Sequence, residues 1–109
     1  MNTTIHGSPS FAFIELTLKP GERVIAESDA MACMDAALSM KAVMNGGFLG
    51  GLAKKFLGGE SLFVNHFTNA SSQDLRLTLV QSTPGDIRQL ELNGETLCLQ
   101  PGAFIACTP

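Results

Sequence analysis

Catalysis needs nucleophiles, bases or metal ligands gathered at suitable spacing, and this chain offers few. It has two histidines, His6 and His66. His66 lies in an apolar stretch beside Asn65, with no second histidine, cysteine or nucleophile at a useful distance along the chain. It reads as a core or interface histidine rather than a base or ligand. His6 lies near the N-terminus, where chains are usually mobile. Gly59-Glu60-Ser61-Leu62-Phe63 has the serine of a nucleophile elbow but lacks the second glycine of G-x-S-x-G, and neither histidine has a recognisable triad partner. Glu15, Glu22, Glu27 and the other acids are scattered and single out no acid–base pair. Met31, Met34, Met40 and Met44 fall at M-x-x-M and M-x-x-x-M spacings that loosely suit copper(I), although methionine more often fills gaps in cores and interfaces. Cys33, Cys98 and Cys107 are odd in number, contain no C-x-x-C and are flanked by apolar residues. Buried, reduced thiols are expected rather than a zinc knuckle or disulfide framework. These patterns assign no catalytic residue, no metal and no cofactor, and the chain is not expected to be an enzyme.

The glycine-rich segment holds the remaining chemistry. Asn45 to Gly59 contains six of the eleven glycines. Gly46 and Gly51 have G-x-x-x-x-G spacing, but Leu52 stands where a phosphate-binding loop needs lysine. Phe48, Leu52 and Phe56 recur at i, i+4 and i+8 with Leu49 nearby, while Lys54 and Lys55 lie off that stripe. The spacing predicts a short amphipathic helix between glycines. It either plugs the end of the fold or packs on a neighbouring subunit. The alternative is a membrane-surface contact, with Phe48, Leu49, Leu52 and Phe56 inserted and Lys54 and Lys55 at the head groups. Two lysines contribute only about 1 kcal/mol each at a membrane, so one copy would hold weakly and a ring of copies firmly.

Composition narrows the partners. Seven basic residues against ten acidic give a net charge of −3, which argues against a phosphate-neutralising surface and hence against nucleic acid. Hydrophobic residues make up 45% and charged residues 16% of the 109 positions, against roughly 25% charged in ordinary domains. So little polar material predicts that another copy of the chain covers part of the apolar surface. Met1 to Phe13 lacks the pattern of a signal peptide, and the uncharged run Ala42 to Ala53 is shorter than the ~20 apolar residues of a spanning helix. A cytoplasmic location is expected.

The elements that would position these groups read as short strands. Phe11 and Phe13, then Leu16 and Leu18, alternate with a break at Ile14. Lys19-Pro20-Gly21-Glu22 is a turn, followed by a strand at Val24-Ile25-Ala26 and an apolar run over Ala30 to Met34. Ala36 to Met44 mixes helix formers with a period-2 pattern and is read as a strand. Ser61 to Thr68, bulky on both faces, reads as a central strand. Leu75, Leu77 and Leu79 alternate with Arg76 and Thr78, as in a half-buried strand. Ile87 to Leu92, Asn93-Gly94 and Glu95 to Leu99 predict a hairpin with a type I′ turn, and Ala103 to Cys107 a last strand. Strands at this spacing indicate a sandwich or barrel in one domain, 1–109. Leu16-Thr17-Leu18-Lys19-Pro20-Gly21 is echoed by Leu97-Cys98-Leu99-Gln100-Pro101-Gly102, with Val24 and Ile105 at the same offset. A true repeat would begin a second unit near 97–109.

Pro20-Gly21-Glu22 with Ala26-Glu27 and Ala30-Met31, then Gly46-Gly47-Phe48-Leu49-Gly50-Gly51-Leu52, then Gly59-Glu60-Ser61-Leu62-Phe63-Val64-Asn65-His66-Phe67 resemble, in order, a bacterial family of unknown function. That family is related to the yeast "altered inheritance of mitochondria" proteins. Asp29 departs from it, since glycine is expected before Ala30-Met31. The resemblance implies an all-β antiparallel β-sandwich like that of the tryptophan RNA-binding attenuation protein, here with a short Gly-flanked helix in a long loop. It also implies members about twice this length with a repeated architecture. It supplies no active site to carry over, and the tryptophan and RNA binding of the fold's namesake finds no matching basic motif. The expectation is a non-enzymatic homo-oligomeric scaffold or binding module whose small-molecule ligand, if any, is unassigned.

Overall fold

Alternation of apolar and polar residues drives the described residues into eight strands. The computed structural model describes residues 1–44, 63–100 and 102–109. In chain order they are β1 Asn2–His6, β2 Phe13–Leu18, β3 Arg23–Glu27, β4 Met31–Met34, β5 Ser39–Met44, β6 Phe63–Thr68, β7 Leu75–Val80 and β8 Ala106–Cys107. They form two antiparallel four-stranded sheets, β1-β2-β7-β4 and β5-β6-β3-β8. Among the described residues there is no helix. The glycine-flanked helix expected around Phe48–Phe56 lies outside the described residues.

The core follows from strand parity. Ile14, Leu16 and Leu18 of β2 pair with Leu79, Leu77 and Leu75 of β7, and all six are buried on one face. Val24, Ala26 and Phe67 answer them from the second sheet, with Leu38, Ala30 and Ile87 closing the cluster. Fully burying one Leu or Phe side chain contributes about 1.5–3 kcal/mol, so this double row of leucines over Phe67 dominates the fold. The apparent break at Ile14 is absent. Ile14 continues the buried row from Ala12, while Phe13 points to the outer face and Phe11 is 72% exposed.

Two other expectations change. The N-terminus is not loose: Asn2–His6 pairs along β2, and Ile5 packs against the core. The β1–β2 connection closes on Gly7, whose φ of +75° is left-handed and whose carbonyl accepts the Phe11 amide at 2.9 Å. The Asn93-Gly94 hairpin does not form a ladder. A type I′ turn needs positive φ at both central residues, yet among the described residues only glycines have positive φ, Gly94 at +94°. Residues 88–100 instead run as an exposed arm. The last strand is only two residues long, paired to β3.

Asn69 joins the two sheets at one end. It is fully buried just after β6. Its Nδ2 donates to the carbonyls of Leu18 at 2.8 Å and Gln73 at 2.7 Å. Its Oδ1 accepts from the Ser71 amide at 2.9 Å and the Ser71 hydroxyl at 2.7 Å. Its own carbonyl accepts the Gly21 amide at 2.7 Å, and its amide donates to the Glu22 carbonyl at 3.0 Å. One side chain and its peptide groups thus tie the β2–β3 turn to the β6–β7 turn, leaving no buried polar group of the residue unpaired. Asn65 plays a smaller part on β6, its Nδ2 donating to the Ser28 carbonyl at 3.0 Å.

Candidate interaction surface

The chemically active side chains are dispersed. His6 stands on the outer face of the first sheet. Its Nε2 is 2.7 Å from Glu15 Oε2, and its ring stacks on Phe13 at 5.0 Å between centroids. The register explains this: His6 lies opposite Phe13, and Thr4 opposite Glu15, on adjacent strands. His66 lies on the outer face of the second sheet, between Lys41 on β5 and Ile25 on β3. Cys107 lies beyond Ile25 on β8, two strand spacings from His66, or about 9.5 Å. That separation is too great for a thiol–imidazole pair.

The cysteines correct an expectation. All three are free and exposed rather than buried. Each sits on a thin element: Cys33 on edge strand β4, Cys98 on the arm and Cys107 on two-residue β8. Partial burial of the Cys107 thiol pushes its pKa above the ordinary value, because desolvation disfavours the thiolate. The methionines do not form one cluster. Met31 and Met34 pack against the core from β4, while Met40 and Met44 are exposed on β5 in the other sheet. Among the described residues no group of three or more His, Cys, Asp or Glu side chains converges as a metal site would. Phe48, Leu49, Leu52, Lys54, Lys55 and Phe56, the residues expected to meet a membrane or partner, lie outside the described residues.

One shallow depression, about 300 Å³ and open to solvent, lies between Phe11–Phe13 and residues 80–84. Gly85 shapes its rim by bridging to Phe11 in parallel, its amide donating to the Ser10 carbonyl at 2.7 Å and its carbonyl accepting from Ala12 at 3.0 Å. No titratable side chain lines it, so its walls offer apolar contact and hydroxyl or amide bonds rather than acid–base chemistry.

Among the described residues, a run of exposed apolar side chains lies on the arm. Every residue from 88 to 100 is exposed, and Leu90, Leu92, Leu97 and Leu99 are 63, 53, 46 and 50% exposed. Four leucines on thirteen consecutive uncovered residues differ from the scattered single exposures of ordinary surfaces. The sequence predicts a hairpin over these leucines, but among the described residues no strand covers them. The role of Asn69 was missed too, although Asn followed by Ala-Ser-Ser is a side-chain-bonded turn signal.

Comparison with known proteins follows the same outline. Residues 3–109 match the family described as mitochondrial biogenesis AIM24. An uncharacterized protein of Streptococcus pyogenes serotype M6 is 31% identical over 113 residues, which cover 97% of this chain and 44% of that protein. A crystal structure of a Streptococcus pyogenes protein superposes with a TM-score of 0.70 at 28% identity, over 96% of this chain and 49% of that one. The chain therefore spans about half the length of the relatives it matches. No helix among the described residues is long and apolar enough to cross a membrane.

Proposed function

The chain belongs to the mitochondrial biogenesis AIM24 family, and from that premise we propose that it is a non-enzymatic β-sandwich module that works by assembling with further sandwich units. The observation that carries this reading is the uncovered arm, whose four half-exposed leucines have no partner surface among the described residues. Left in water, that apolar area costs about 25 cal/mol per Å² relative to burial, and a neighbouring unit removes the cost. The 16% charge content supports the same reading, because few charges are available to solvate the outside. The dispersal of His6, His66 and the three cysteines over separate elements supports a binding rather than a catalytic role. With an acidic net charge, the partner surface is protein rather than nucleic acid, and the module works in the cytoplasm.

Sedimentation velocity across a wide concentration range tests the proposal. A species of at least two copies that dissociates on dilution is expected. A monomer at every concentration refutes it.

A further inference from the structure

Among the described residues no large hydrophobic side chain is more exposed than Phe11, at 72%. It does not stand on a loose loop. The Phe11 amide donates to the Gly7 carbonyl at 2.9 Å, the Ser10 carbonyl accepts the Gly85 amide at 2.7 Å, and the Ala12 amide donates to the Gly85 carbonyl at 3.0 Å. Ala12 is itself part of the core. The backbone is therefore fixed on both sides of an aromatic ring that faces water. Phe13, two residues on, is held in another way. Its ring stacks on His6 at 5.0 Å between centroids and 23° between planes, and His6 is held in turn by Glu15 at 2.7 Å. Rings fixed before a ligand arrives lose little freedom when they bind it, which raises affinity.

Both rings line the depression of about 300 Å³, together with Val80 and the loop 81–84. It is built where β2 begins and β7 ends, and these are the two central strands of their sheet, a rigid base for a site. The loop contributes three neutral polar side chains. Gln81 Nε2 is 3.5 Å from the Ala12 carbonyl, a bond near its geometric limit, so the amide has capacity for a better partner. Ser82 and Thr83 are exposed, and each hydroxyl can donate and accept.

Size, charge and openness restrict the ligand. The volume is at the lower end of the range for small-molecule sites, about 300–1,000 Å³, and suits a single ring with its substituents. No titratable side chain lines it, so a charged ligand would find no counter-charge. A wholly apolar ligand fits poorly, because such molecules bind where about 70–90% of their surface is covered, and this depression is open on one side. A neutral molecule with one apolar face and a polar rim meets all three conditions. A pyranose with equatorial hydroxyls is such a molecule. Its axial C–H groups form an apolar face that suits the electron-rich face of an aromatic ring, while its hydroxyls project from the edge toward any amide or hydroxyl partners.

We propose that this depression binds a neutral pyranose ring of an oligosaccharide, with Phe11 and Phe13 as the stacking platform and Gln81, Ser82 and Thr83 bonding the sugar hydroxyls. No residue beyond Pro84 lines it, so the site is independent of the arm and goes beyond the assembly reading.

Saturation-transfer NMR on the full 109-residue protein tests it. The probes are cellotriose and the corresponding N-acetylglucosamine trimer, with mannitol as a linear polyol that has no ring face. The chain has no Trp or Tyr, so irradiating the aromatic protons saturates the phenylalanines and the two histidines. Transfer to the axial ring protons of at least one trimer is expected, with none to mannitol. Phe11→Ala should weaken that binding at least about tenfold. Phe11→Leu, which keeps apolar bulk but loses the ring face, should bind as poorly as alanine, and Phe11→Tyr should bind like wild type. Thermal unfolding of each variant is the folding control, and the leucine and tyrosine variants preserve side-chain size if alanine disturbs the turn. Binding of neither trimer, equal saturation of mannitol, or an affinity indifferent to Phe11→Leu overturns the site, whatever the oligomeric state.

Discussion

Replacing Asn69 by alanine removes the side chain that holds the two turns together. Four hydrogen bonds disappear, two donated to the Leu18 and Gln73 carbonyls and two accepted from Ser71. The Leu18 end is the costly one, because that residue is completely buried and a buried acceptor stripped of its donor costs about 1–3 kcal/mol. The Ser71 end is partly solvated, so water replaces Asn69 there at a cost of about 0.5–1.5 kcal/mol. Asn69→Ala should therefore lower stability by about 3 kcal/mol. With an unfolding entropy of about 2.1 cal/mol/K per residue, that is a Tm fall of about 13 °C for a chain of this size. Urea unfolding followed by circular dichroism measures it, with an unchanged m-value showing that the denatured state is unaltered. Asn69→Asp separates donation from shape. It keeps an acceptor for Ser71 but aims a carboxylate at two carbonyl oxygens. It should be at least as damaging at neutral pH and recover partly in acid, where protonation restores one donor. A loss below about 1 kcal/mol for Asn69→Ala, or an aspartate milder than alanine at pH 7, would refute the bracing role.

Among the described glycines, Gly7→Ala should be the most damaging substitution. The residue has φ +75°, and an added Cβ would lie 2.2 Å from the Phe11 carbonyl oxygen. Gly94→Ala, at φ +94° with nothing within 4 Å, should cost only the ~1–2 kcal/mol of left-handed backbone. Denaturation midpoints for the two variants give the order, and equal losses would contradict it. The Glu22 carboxyl is held below its ordinary value of 4.5, first by the hydrogen bond from the N-terminal ammonium and then by the Lys19 amide. A carboxylate with a depressed folded pKa contributes stability above its unfolded pKa and loses it as pH falls through the lower folded value. Glu22→Gln should therefore flatten the decline in stability below pH 4.5, and superimposable acid limbs would exclude the contribution. Because burial raises the Cys107 thiol pKa, iodoacetamide at pH 8 should alkylate Cys107 more slowly than a cysteine in an unstructured peptide, as peptide mapping can follow.

Strand existence and pairing partners were legible to different degrees, for physical reasons. β7 was plain because Leu75, Leu77 and Leu79 alternate with polar residues on a strand solvated on one side, where period 2 is the whole signal. β6 was legible as central because Val64 and Asn65, on opposite faces, are both buried. β2 has an apparent break in sequence because the large Phe11 and Phe13 fall outside the buried row, which the smaller Ala12 and Ile14 carry. β5 alternates in sequence yet is exposed on nearly every residue. Periodicity reports what a strand could bury, and among the described residues this edge strand has little packed against it. β1 carried no apolar period beyond Ile5. It is held by its ladder to β2, by Gly7, and by the pairing of His6 with Glu15 and Phe13, all of them contacts made with a strand further along the chain.

The failure of the Asn93-Gly94 hairpin has the most to say about function. The local signal for a turn was sound, and the flanking leucines alternate as hairpin strands should. Two isolated strands are only marginally stable in water, and a ladder needs a face to rest on. Leu16 and Leu18 have that face in β7 and Phe67; their counterparts Leu97 and Leu99 do not. Among the described residues the same leucine pattern is therefore buried in one setting and bare in the other. The turn and the glycine conformation are the same in both places, Gly21 at φ +82° and Gly102 at φ +85°, so what differs is the surface available to the leucines and not the local chain signal.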